Sequence, residues 1–126
     1  MTGAERTVQL APRPSSAAAA RRIVKRELRD IEPAARDVGV LLASELVTNA
    51  LLYAPGDIAL HITESDDSYR IGVWDGNPVP VDSRHVGIEA TSGRGLALVE
   101  RLARSWGVDV RAPDGKEVWF EVPRRA

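Results

Sequence analysis

Between Val38 and Ala54 the chain is almost wholly apolar, yet Ser44, Glu45, Thr48 and Asn49 interrupt it at a spacing that leaves little choice of structure. Positions i, i+1, i+4 and i+5 fall together on a helix, where they form one polar stripe. Val38, Val40, Leu41, Leu42, Leu46, Val47, Leu51 and Leu52 cover more of the circumference than a single core-facing stripe needs. Such a helix is expected to lie largely buried, with its polar stripe inside the protein or lining a cleft. A carboxylate and a carboxamide so placed are costly without a partner. A ligand is the economical partner: Glu45 and Asn49, one turn apart, would face a metal ion and a group that must lose a proton. A polar face that simply meets water accounts for Ser44 and Thr48 equally well, so the rest of the chain has to decide.

With 126 residues the chain is expected to be one domain, residues 1–126, large enough for a hydrophobic core without staples. A formal charge of -1 gives no reason to expect binding to nucleic acid or to a membrane. The absence of cysteine excludes disulfides, thiol catalysis and a cysteine-ligated zinc site. His61 and His85 are the only histidines, which argues against a protein-built zinc site. Neither the amino terminus nor any later segment reads as a signal peptide or a membrane span, so the expected location is cytoplasmic.

Along the chain, Thr7 to Leu10 is a strand candidate, followed by a connector through Pro12 and Pro14. A helix is expected from Ser15 or Ser16 through the alanine run, with Ile23, Val24, Leu28 and Ile31 in helical periodicity. Pro33 suits the first turn of the second helix, which Ala54-Pro55-Gly56 closes. Ile58, Leu60 and Ile62, then Tyr69, Ile71 and Val73, alternate as two strands of an antiparallel hairpin that ends at Asp75-Gly76. From Gly76 to about Ser92 no periodicity holds, and a connection of roughly seventeen residues is long enough to serve as a lid. Gly93-Arg94-Gly95 then opens a helix carrying Leu96, Val99, Leu102 and Ala103 on one face. Strands over Val108 to Ala112 and Lys116 to Val122, joined by Pro113-Asp114-Gly115, close the chain, with Val118, Phe120 and Val122 toward the core. Trp74 and Trp119 are expected in the sheet and Trp106 at the end of the last helix. The pattern is an α+β two-layer sandwich, a mostly antiparallel mixed sheet with three helices on one face.

Three places carry chemistry. Gly93-Arg94-Gly95 at a helix start offers unpaired backbone N–H groups, a favourable dipole and a guanidinium fork to phosphate oxygens, although such glycines also serve plain tight turns. No Walker lysine follows, and no core strand precedes the glycines as a Rossmann site requires. Asp75 at a strand end is turn chemistry, or a carboxylate that accepts a hydrogen bond from an exocyclic amine such as that of adenine. Asn49 offers a neutral oxygen to magnesium, which takes most of its shell from water and phosphate.

In this order the three places resemble the Bergerat-fold ATPases, among them gyrase-type topoisomerases, histidine kinases and bacterial anti-sigma-factor kinases. Glu45-Leu-Val-Thr-Asn49-Ala-Leu-Leu-Tyr-Ala54 looks like their N box, Asp75-Gly76-Asn-Pro78 like their first glycine box, and Gly93-Arg-Gly-Leu-Ala-Leu-Val99 like their second. The first box departs from the pattern in lacking its second glycine. The resemblance runs from about Thr7 to Val122, and the Ser-Glu-Leu-Val-Thr-Asn-Ala form together with the Gly-Lys-x-Val-Trp-Phe-Glu ending looks most like the anti-sigma serine/threonine kinases.

The resemblance implies ATP and Mg2+ as cofactors. Asn49 would coordinate magnesium and Glu45 would act as general base toward an acceptor hydroxyl. Asp75 would hold the adenine amine, with Gly76 beside the base and Gly93, Arg94, Gly95 and Leu96 at the phosphates. Relatives of the wider superfamily carry a hydroxyl residue near the position of Glu117. The implied activity is ATP-dependent protein serine/threonine kinase, phosphorylating an anti-anti-sigma factor and sequestering a sigma factor, and so regulating transcription; homodimers are common among similar proteins. A nucleotide-sensing or nucleotide-independent partner-binding module without phosphotransfer is the alternative, and an ATPase motor component a third that lacks any transducer segment. His61 reads as an ordinary strand residue and His85 as an exposed residue of the lid.

Overall fold

Period-two burial builds the sheet. In β2 (Ile58–Glu64), Ile58, Leu60 and Ile62 are buried; in β3 (Ser68–Asp75), Tyr69, Ile71, Val73 and Asp75 lie on the same inner side. The computed structural model describes residues 5–54, 56–78 and 97–124. Together with β1 (Glu5–Leu10), β4 (Ser105–Arg111) and β5 (Gly115–Pro123), these strands form one open sheet in the order β1-β2-β3-β5-β4. Every pairing among the described residues is antiparallel, so the mixed pairing expected from the sequence is not found among them.

Two helices cover the inner face. Helix α1 (Ser15–Glu27) starts one residue after Pro14, and Lys25 and Arg26 sit at its carboxyl end where they favour the dipole. Neither serine caps it; Ser16 instead donates its Oγ hydrogen to the Ala11 carbonyl at 2.6 Å. The helix ends earlier than the periodicity suggests, but Leu28 and Ile31 in the following turn remain buried. Helix α2 (Pro33–Tyr53) begins with proline at its first position, as expected. Gly39 lets it approach α1 and the sheet closely, because a Cβ there would stand 2.9 Å from Leu28 Cδ2. A third helical stretch, 97–102, contributes Val99 to the same core.

The core joins Val24 and Leu28 of α1, Leu42, Leu46 and Val47 of α2 and the inner residues of the strands, with Phe120 of β5 its largest fully buried side chain. The outer face of the sheet carries His61 between Glu5 and Glu117, at 3.5 and 3.4 Å, and the Arg70 guanidinium 3.8 Å from the centre of the Trp119 ring. Trp106 does not close the last helix; it sits in β4 opposite Phe120, which explains why that strand starts at Ser105, earlier than expected. The side chains of the outer face account for both His61 and Trp119 as sheet residues.

Candidate functional site

Helix α2 buries one face, through Leu42, Ala43, Leu46, Val47, Asn49 and Ala50, while Leu41 and Leu52 emerge at 40% and 58% exposure, so it is less buried than its apolar sequence suggests. Its polar stripe divides in two. Ser44 serves the helix pair, accepting from Arg21 of α1 at its Oγ at 2.8 Å, whereas the Thr48 hydroxyl turns back on its own helix and donates to the Ser44 carbonyl at 2.9 Å. Glu45 and Asn49 lie about 100° further round the helix. Glu45 is half-buried and Asn49 buried, and Asn49 Oδ1 has no hydrogen-bond partner among the described residues. An acceptor stranded in this way costs about 1–3 kcal/mol.

Asn49 forms one wall of a small cavity. Leu46 and Ala50 of α2, Val73 and Asp75 of β3, and Lys116 and Val118 of β5 complete it. Its volume, about 20 Å³, is that of roughly one water molecule.

The polar end of the cavity is an ion pair. The antiparallel register sets Asp75, the last residue of β3, opposite Lys116 of β5, and Lys116 Nζ stands 3.1 Å from Asp75 Oδ1. Both side chains are at most 5% exposed. The same Oδ1 accepts the Asn77 backbone N–H at 2.8 Å, while Lys116 Nζ also donates to the Asn77 carbonyl at 2.9 Å. The Asp75-Gly76-Asn77 turn is therefore held at both of its ends by two side chains. Gly115 makes this approach feasible, since a Cβ on it would lie 2.1 Å from the Asp75 carbonyl oxygen.

Of the expected site residues, the fold brings Asn49 and Asp75 to one cavity and places Gly76 directly after Asp75, half-buried. Glu45 lies one turn before Asn49 on α2. Gly93, Arg94, Gly95 and Leu96, and the lid beyond Pro78 with His85, lie outside the described residues. Glu117 points to the outer face beside His61; its neighbour Lys116 is the residue that faces Asp75. Sequence reasoning missed Lys116. The signal was present: Lys116, Val118, Phe120 and Val122 share one face by alternation, which puts a lysine in line with three core residues.

The unpartnered Asn49 oxygen fits a cation or a ligand N–H placed in the cleft. No group of three or more histidine, aspartate or glutamate side chains able to hold a metal occurs among the described residues. No helix among them is long and apolar enough to cross a membrane.

A match to the histidine kinase-like ATPase domain runs over residues 10–122, and the chain belongs to that family. It has the ATP-binding fold of the family: an open antiparallel sheet with its helices over the inner face. Comparison with curated proteins finds no match.

Proposed function

We propose that the chain is an ATP-dependent protein serine/threonine kinase of the anti-sigma type, which phosphorylates an anti-anti-sigma factor and sequesters a sigma factor. The observation that carries the reading is the buried, unpartnered Oδ1 of Asn49, one turn beyond Glu45 and in the wall of the cavity that Asp75 closes. An ATP-binding fold with an orphaned oxygen at this point has a use for a divalent cation.

In this reading Asn49 would hold magnesium through its side-chain oxygen. When bound, Mg2+ neutralises charge that develops on the phosphates during transfer. Asp75 accepts the adenine amine, and Gly76 leaves room for the ring. Gly93, Arg94, Gly95 and Leu96 hold the phosphates. Glu45 takes the proton of the acceptor hydroxyl as its oxygen attacks the γ-phosphorus and the bond to the β,γ-bridging oxygen breaks, with ADP leaving. The serine or threonine that receives the phosphoryl group belongs to the partner.

The second reading, a partner-binding module without transfer, draws on Asp75 being already engaged by Lys116 and Asn77. Incubation with γ-labelled ATP, Mg2+ and a panel of small antagonist proteins separates the two. Label on one antagonist is expected, with Glu45→Gln keeping nucleotide affinity and losing transfer by about 100- to 10,000-fold. Tight partner binding without label across the panel would establish the module instead.

A further inference from the structure

An ammonium buried beside the carboxylate that is proposed to meet the base is not neutral background. Burying an ion pair is often no more stabilising than filling the space with apolar groups. Lys116 is 3% exposed, and it stands in line with Val118, Phe120 and Val122 on the core face of β5. Its ammonium has three N–H donors. Two are engaged among the described residues, by Asp75 Oδ1 and by the Asn77 carbonyl. The Asp75 contacts both fall on Oδ1. The same cavity is lined by Asn49, whose Oδ1 is unpartnered. The polar end of this cavity thus sets a carboxylate acceptor and a cationic donor side by side, each with capacity left for a ligand.

The geometry points to Lys116 as the residue that selects the base. Resting on the nucleotide-binding reading above, it adds a second contact to that reading: Asp75 accepts from the exocyclic amine of adenine while Lys116 donates its third N–H to ring nitrogen N1 beside it. Adenine presents that donor and acceptor in adjacent positions. A base with a carbonyl and a protonated ring nitrogen there reverses both, setting oxygen against carboxylate and N–H against ammonium. The pair consequently excludes hypoxanthine as well as accepting adenine, and Lys116 specifies the base without taking part in the transfer.

Calorimetry on the full chain, with ADP and with 1-deaza-ADP in which N1 is replaced by C–H, tests this contact. Wild type is expected to bind the deaza analogue about ten- to a hundredfold more weakly, the range for a hydrogen bond from a charged donor. Lys116→Met is expected to bind the two ligands alike, whatever its absolute affinity. An equal affinity in wild type, or the same penalty in the variant, would overturn the proposal. Should Lys116→Met not fold, as judged by circular dichroism, Lys116→Gln takes its place: a penalty that shrinks severalfold supports the contact and an unchanged one removes it. Failure of wild type to bind ADP at all overturns the nucleotide reading itself, whereas ADP binding without a penalty for the analogue overturns only the role of Lys116.

Discussion

Replacing Asn49 by leucine separates a residue kept for function from one kept for stability. The side chain is buried and its Oδ1 is unpartnered, which costs about 1–3 kcal/mol in the ligand-free protein. Leucine shares the branching of asparagine, although it is bulkier, and is the better helix former by about 0.5 kcal/mol. The adjoining cavity of about 20 Å³ takes up part of its extra volume. Residual overpacking offsets some of the gain, which leaves a net stabilisation of about 1–2 kcal/mol. In a domain of this length that raises Tm by roughly 3–8 °C. Nucleotide has the opposite signature: a ligand at a hundred times its Kd stabilises wild type by about 2.7 kcal/mol, and Asn49→Leu should lose most of this. Thermal unfolding followed by circular dichroism, with and without ATP and Mg2+, reads both effects in one experiment. A ligand-free variant less stable than wild type would mean that Oδ1 is satisfied and the accounting for this site is wrong. An undiminished shift with ATP and Mg2+ would remove Asn49 from the nucleotide site.

The buried pair should behave as a unit: Lys116→Met, which strands the Asp75 carboxylate, is expected to cost about 3–5 kcal/mol in urea unfolding, and adding Asp75→Leu should recover most of it; equal losses in single and double variants would refute the coupling. Gly115→Ala drives a Cβ against the Asp75 carbonyl and should destabilise by about 2–3 kcal/mol while weakening nucleotide binding, so a variant of wild-type stability would show that β3 and β5 can part freely. Burial, reinforced by the Glu64 carboxylate, holds the Tyr69 phenol above its ordinary pKa of 10.0. The folded state therefore keeps that proton longer than the unfolded chain does, a contribution complete below the unfolded value and lost as pH rises through the folded one. Urea midpoints measured at alkaline pH should fall less steeply for Tyr69→Phe than for wild type, and parallel slopes would show that Tyr69 does not contribute.

Strand and helix identities were readable because their signals are local. Ile58, Leu60 and Ile62, or Val118, Phe120 and Val122, alternate within one strand, and that spacing alone assigns the buried side. Pro33 marked the start of α2 for an equally local reason, its fixed backbone angle and missing N–H. The N-box spacing placed Glu45 and Asn49 one turn apart before any partner element was known. Trp106 illustrates the limit. Nothing within reach of it in sequence decides between helix end and strand, and its pairing with Phe120 does.

What the sequence by itself determined, then, is the set of elements, their inner faces and the polar residues set among the apolar ones. Tertiary structure decided which of those residues share a site. The polar stripe of α2 became two faces only when α1 packed against it and Arg21 claimed Ser44. Asp75 met Lys116, 41 positions away, through the antiparallel register of β3 and β5, and a shift of one residue would have turned Lys116 to the outer face and Glu117 inward. Periodicity records which way a side chain points; only the pairing of distant strands determines what it points at.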